Sequence, residues 1–201
     1  MNRLKLLILI ILPIFSCHSQ KTDKIEYAVY EDKEIGWTTQ YSNSWKVMTA
    51  AEIEKLEGRG QTAMASTLDE NLILIRKNLL WLEKDQFNSF TSNSQPFDTI
   101  TDGNYKDNQE FLNQTLVNTY KSQGTQFDVK FGKVKIDGLE FSTMETTLFT
   151  PDRKKILMNQ IMYDRLINGT ATLTLDINYN NDKDREILLH MINSSKLLKR
   201  G

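Results

Sequence analysis

The chain has 201 residues, a formal charge of −1 from 25 Lys and Arg against 26 Asp and Glu, and one cysteine. That length suits a single domain with one core. The even balance argues against nucleic-acid binding through bulk positive charge, and a lone thiol excludes a disulfide within the chain.

In chain order, Arg3 and Lys5 precede an apolar run over 6–15, followed by Ile14-Phe15-Ser16-Cys17 with a small residue before the cysteine. The run is about half the ~20 residues a membrane span requires and contains Pro13, so it reads as a leader removed after Ser16. The segment resembles a bacterial lipoprotein signal with its lipobox. That resemblance implies that Cys17 becomes the lipidated first residue, carrying diacylglycerol on its thiol and an acyl chain of the palmitate kind on its amine. Several chains hold a domain to a bilayer stably where one does so marginally. Inner-membrane lipoproteins tend to carry aspartate where this chain has His18, which favours the outer membrane, and the few acidic residues over 18–24 favour its periplasmic side. The expected organisation is a signal peptide over 1–16, a lipidated cysteine and polar tether over 17–24, and one domain over 25–201. Loss of Arg3 and Lys5 takes the formal charge from −1 to −3.

Structure is expected from near Ile25, with a strand over 35–41 that puts Trp37, Thr39 and Tyr41 on one face. Ser42-Asn43-Ser44 makes a turn, and Trp45 and Val47 resume alternation. Thr49 and Glu52 fit a capping box opening a helix with Ile53 and Leu56, which Gly58 and Gly60 should end or break. Apolar runs over 72–75 and 79–82, and a segment over 87–91, read as short strands. From Asn104 the period becomes helical: Leu112, Leu116 and Tyr120 form a stripe beside Phe111 and Val117, and Gly124 stops it. Phe127, Val129 and Phe131 alternate and Val134 and Ile136 follow in opposite parity, which predicts a bulge at Gly132 or Lys133. Asp137-Gly138 and Asn168-Gly169 signal hairpins, and Pro151-Asp152 a turn. Between them, 156–163 is apolar on both faces and reads as an interior strand. Leu173, Leu175, Ile177 and Tyr179 oppose Thr172, Thr174, Asp176 and Asn178, a half-buried strand whose polar face needs solvent or a partner. Asn181 or Asp182 caps a last helix with the stripe Ile187, Leu188, Met191 and Ile192, its final turns bearing Lys196, Lys199 and Arg200.

This order predicts an α+β fold, an antiparallel β-sheet covered by helices. Tyr41-Ser42-Asn43-Ser44-Trp45 matches the aromatic-Pro-x-x-Trp turn of the Mog1/PsbP-like family except for serine in place of proline. The following helix, the long helix, the antiparallel run and the C-terminal helix also occur in that family's order, so the chain resembles a PsbP-like domain. Members act mostly as accessory, assembly or regulatory binding proteins, which the resemblance implies here without identifying a partner.

The search for chemistry returns mostly exclusions. His18 and His190 are the two histidines, one beside the anchor and one at the edge of a helical stripe, and neither is expected to be catalytic. No Cys pair, His-Glu-x-x-His helix or calcium-loop spacing supports a metal, and Asn180-Asn181-Asp182-Lys183-Asp184 reads as a helix cap. Met158 and Met162 share a strand face but read as core packing, not copper ligands. Gly58-Arg59-Gly60 lacks the context of a phosphate loop. No cofactor is expected. Arg153-Lys154-Lys155 reads as a solvated hairpin tip, and Asp98-Thr99-Ile100 resembles a short O-glycosylation acceptor, making Thr99 a candidate for modification in an exposed loop. The favoured function is a non-catalytic accessory binding protein of the envelope, anchored by lipid and contacting an envelope protein through the polar side of 172–178 and the loop 90–104. The alternative is a carrier with an apolar cleft between the long helix and the sheet. A carboxylate enzyme drawing on Glu140, Glu145 and Asp176 comes third.

Overall fold

The structure is a computed structural model that describes residues 25–65 and 76–198, with 59–65 described for their backbone alone. The signal peptide, Cys17, the tether, the 72–75 run, Lys199 and Arg200 lie outside the described residues.

Thirteen elements follow in order: β1 (Tyr27–Asp32), β2 (Trp37–Ser42), β3 (Lys46–Val47), α1 (Ala50–Ala65), β4 (Lys77–Asp85), β5 (Asn88–Pro96), α2 (Tyr105–Ser122), β6 (Gln126–Ile136), β7 (Leu139–Phe149), β8 (Ile156–Ile167), β9 (Ala171–Tyr179), α3 (Asp182–Ser194) and β10 (Lys196–Leu197). Seven strands form one sheet in the order β3-β4-β5-β9-β8-β7-β6, and β1-β2-β10 form a small second sheet. Every pairing is antiparallel.

The core lies between the large sheet and a layer made by α3 and the small sheet. Leu173, Leu175 and Ile177 from one face of β9 meet Leu188 and Met191 of α3, Trp37 of β2, Phe90 of β5 and Phe141 of β7, all fully buried. Polar groups fix the layer: Trp37 Nε1 donates to Ser195 Oγ at 3.2 Å and Thr39 Oγ1 to the Met191 carbonyl at 2.6 Å. Asn181 caps α3 by accepting from the Asp184 amide at 3.0 Å, and both oxygens of buried Asp184 take the Lys84 ammonium at 2.7 Å. The 180–184 stretch is therefore spent on the helix entry.

Local rules explain much of this. The Thr49–Glu52 box forms, with the Glu52 carboxylate accepting the Thr49 amide at 3.0 Å and Thr49 Oγ1 facing the Glu52 amide at 3.4 Å. Asp137 and Gly138, at φ 50° and 77°, make the two-residue turn between β6 and β7. Ser42 bonds Ser44 through its hydroxyl at 2.7 Å and accepts the Ser44 amide at 3.3 Å, so a side-chain bond sets the turn that proline would otherwise preset.

Four expectations need correction. Helix α1 continues past Gly58 to Ala65, because a glycine weakens a helix by about 1 kcal/mol without ending it unless the backbone turns left-handed. No bulge occurs at Gly132: β6 pairs with β7 in unbroken register from Gln126↔Phe149 to Ile136↔Leu139. The parity change arises because one end of β6 faces α2, where Phe127 meets Tyr120 at 5.4 Å, while Ile136 at the other end enters the core on the opposite face. The last helix ends at Ser194, and Lys196 lies in β10 bonded to Asp137 at 3.1 Å. Finally, 90–96 is part of strand β5, so only the stretch after Pro96 is loop.

A candidate binding cleft beneath the long helix

The second face of the large sheet is polar, and α2 crosses it without filling it. On β9 the alternation that sends Leu173 and Leu175 to the core turns Thr172, Thr174 and Asp176 the other way; β8 supplies Gln160, Met162 and Asp164, and β5 supplies Thr91, Asn93 and Gln95. Tyr105, Gln109, Leu112 and Leu116 of α2 form the roof, leaving a cleft of about 360 Å³. Asn104 caps this helix by accepting from the Lys106 amide at 2.8 Å, and Phe97 braces Tyr105 edge-on at 5.8 Å.

Two carboxylates lie in the floor. Across β8 and β9, Asp164 is opposite Thr174 and Met162 is opposite Asp176, so the two acids are diagonal neighbours on one face. Thr174 Oγ1 donates to Asp164 Oδ1 at 2.5 Å. Gln160 Nε2 donates to Asp176 Oδ2 at 2.9 Å, and Gln160 Oε1 in turn accepts from Tyr120 at 2.8 Å. Asp176 Oδ1 is buried with no hydrogen-bond partner.

Burial under α2 raises the Asp164 carboxyl to about 6, opposed by the hydrogen bonds from Thr174 and Gln109. The same desolvation lifts Asp176 to about 7; the Gln160 bond opposes it, the Asp164 charge adds to it and Arg76 lowers it slightly. Both residues keep part of their surface open to the cleft, so the direction is set by burial and its size by how much water enters. The Tyr120 hydroxyl is pushed up to about 12 by burial and by Asp176, which keeps it a donor. At the rim, the Arg76 guanidinium bonds Glu57 at 2.9 Å, and Asn78 donates to the same oxygen at 2.9 Å.

Of the three acids named from sequence, the structure brings only Asp176 to the cleft. Glu140 bonds Lys133 at 2.6 Å on the surface, and exposed Glu145 pairs with Ile161, the parity opposite to Met162. Asp164 was not singled out; pairing 156–167 with 171–179 across the Asn168-Gly169 turn would have placed it beside Asp176. Met162 lines the cleft and does not pack in the core, whereas Met144 and Met191 are buried. His190 lies outside the cleft, 3.2 Å from Gln40 Oε1 and 4.2 Å from the Tyr27 ring centre. Arg153 pairs with Asp128 at 2.8 Å and Lys154 with Asp152 at 3.7 Å, consistent with a solvated tip. Thr99 is exposed in a turn where Asp98 and Asp102 bond one another's backbone, beside Ile100 at 90% exposure. Among the described residues no group of three or more His, Cys, Asp and Glu side chains is placed to hold a metal, and no helix is long and apolar enough to cross a membrane.

These features define a PsbP-like fold, mainly antiparallel sheet with helices. Among solved structures the chain is similar to the solution structure of cyanobacterial PsbP (CyanoP) from Synechocystis sp. PCC 6803, with a TM-score of 0.56 and 12% identity over 92% of this chain and 99% of that one. No protein-family model and no curated protein matches the sequence. At that identity the likeness carries the fold alone.

Proposed function

We propose that this is a lipid-anchored, non-catalytic binding protein of the cell envelope, held through Cys17 on the periplasmic side of the outer membrane, with the α2 cleft as its binding site. The observation that carries this reading is a partly open cleft of about 360 Å³ between a helix and a polar sheet face, within the range of small-molecule sites. It favours a small ligand over a docked protein, because the polar side of β9 is roofed by α2 and a folded partner has no flat surface there to meet. The floor is polar and the roof carries Leu112 and Leu116, which supports a ligand with both a polar and an apolar part over the wholly apolar cargo of the carrier reading.

Native mass spectrometry of the full chain, taken from its own envelopes in mild detergent, tests this. The expected result is a one-to-one adduct of small-molecule mass that disappears in Leu112→Trp, where an indole fills the cleft. A bare chain, or an adduct that survives the filling, contradicts it.

A further inference from the structure

A cleft floor with two adjacent acids and an apolar wall selects among ligands by charge. Asp164 and Asp176 are diagonal partners on adjacent strands, a spacing of roughly 7 Å that a single ammonium group can bridge. Asp176 Oδ1, buried and unpartnered, asks for a donor, and an ammonium brings three. The apolar part of the wall, Tyr105, Leu112, Leu116 and Met162, suits a hydrocarbon or aromatic body. The lining also carries Asp102, and the one guanidinium among its described residues, Arg76, is paired with Glu57, so an anion meets three carboxylates against a single paired cation. Divalent cations are favoured by several converging carboxylates, and among the described residues no group of three or more His, Cys, Asp and Glu side chains is placed to hold one.

We propose that the cleft binds a small organic amine in its protonated form, the ammonium seated between Asp164 and Asp176 and the apolar body against Leu112, Leu116 and Tyr105. This rests on the cleft being the binding site. Binding ionises both acids, so the amine is held at neutral to alkaline pH and released as the pH falls and Asp164 and Asp176 take up protons. The other titratable groups facing them are Tyr105 and Tyr120, both raised by burial and neutral across that range, the rim acid Asp102, and Arg76, which stays charged.

The test is calorimetric titration of the full chain in detergent with phenethylamine, its neutral isostere 2-phenylethanol and the anion 3-phenylpropionate. The expected result is that phenethylamine binds at least tenfold tighter than either analogue, tenfold weaker at pH 5 than at pH 8, and tenfold weaker in Asp176→Asn and Asp164→Asn. Glu140→Gln, on the surface, leaves the affinity unchanged. A blocked lysine tripeptide run alongside separates a free amine from a partner's lysine side chain, and phenethylamine is expected to bind tenfold tighter. Equal binding of the alcohol, indifference to both aspartate substitutions, parity with the peptide, or no phenethylamine binding overturns the proposal. An adduct in the native spectrum alongside any of these leaves the cleft as a site for another chemistry, which separates the two failures.

Discussion

Asp176 has one oxygen bonded to Gln160 and one with no partner, so ionising it in the folded domain places charge where little answers it. Its folded carboxyl titrates above its ordinary value because of burial, and the same holds for Asp164. A raised folded value means that the folded chain holds its proton more tightly than the unfolded one. The contribution to stability is therefore full below about pH 4 and is lost as the pH rises through about 6 to 7. Asn keeps the Gln160 contact and removes the charge. Asp176→Asn should raise the melting temperature at pH 8 by about 3 °C, the equivalent of about 1 kcal/mol in a domain of this size, and match the parent near pH 4. Equal melting at both pH values would place Asp176 in contact with bulk water. A substitution that stabilises the domain while removing ligand affinity is the pattern of a residue kept for binding.

Helices α2 and α3 cover their sheet faces differently. Helix α3 presses Leu188 and Met191, both 0% exposed, into the core, whereas α2 leaves Leu112 and Leu116 half-buried above the cleft. Leu188→Ala should cost about 3 kcal/mol, from lost burial plus a cavity, and Leu116→Ala about 1 kcal/mol, because its site is already open. Urea unfolding midpoints measure both, and equal losses would mean that α2 is packed as tightly as α3. Alternation made β9 legible from sequence, as did the helical stripes and the two hairpin turns, since each is a local pattern with one structural solution. The roofed cleft was not, because a polar strand face looks alike whether water or a helix lies over it. Asp164 went unnoticed for a related reason: its partner is twelve residues away, and only register across the turn brings the two acids together. The bulge expected at Gly132 failed because β6 serves two layers, and a change of parity along an edge strand then needs no extra residue.

At the scale of the molecule, the layers divide the work. The α3 side and the small sheet bury the aromatic and aliphatic residues that hold the domain together, which frees the opposite sheet face to carry Asn, Gln, Thr and Asp without weakening the core. The proposed anchor at Cys17 and its short tether would hold that cleft close to the membrane surface, where an amine released or taken up at the envelope is met early. The most direct measurement of the central claim is a carboxyl-carbon NMR titration of Asp164 and Asp176 in the full chain, with and without phenethylamine. Apparent midpoints near 6 and 7 in the free protein, both moved downward by the amine, are the result expected. Two carboxylates titrating near 4 and unmoved by the amine would show an ordinary hydrated surface beneath α2 and contradict the assignment of a binding site there.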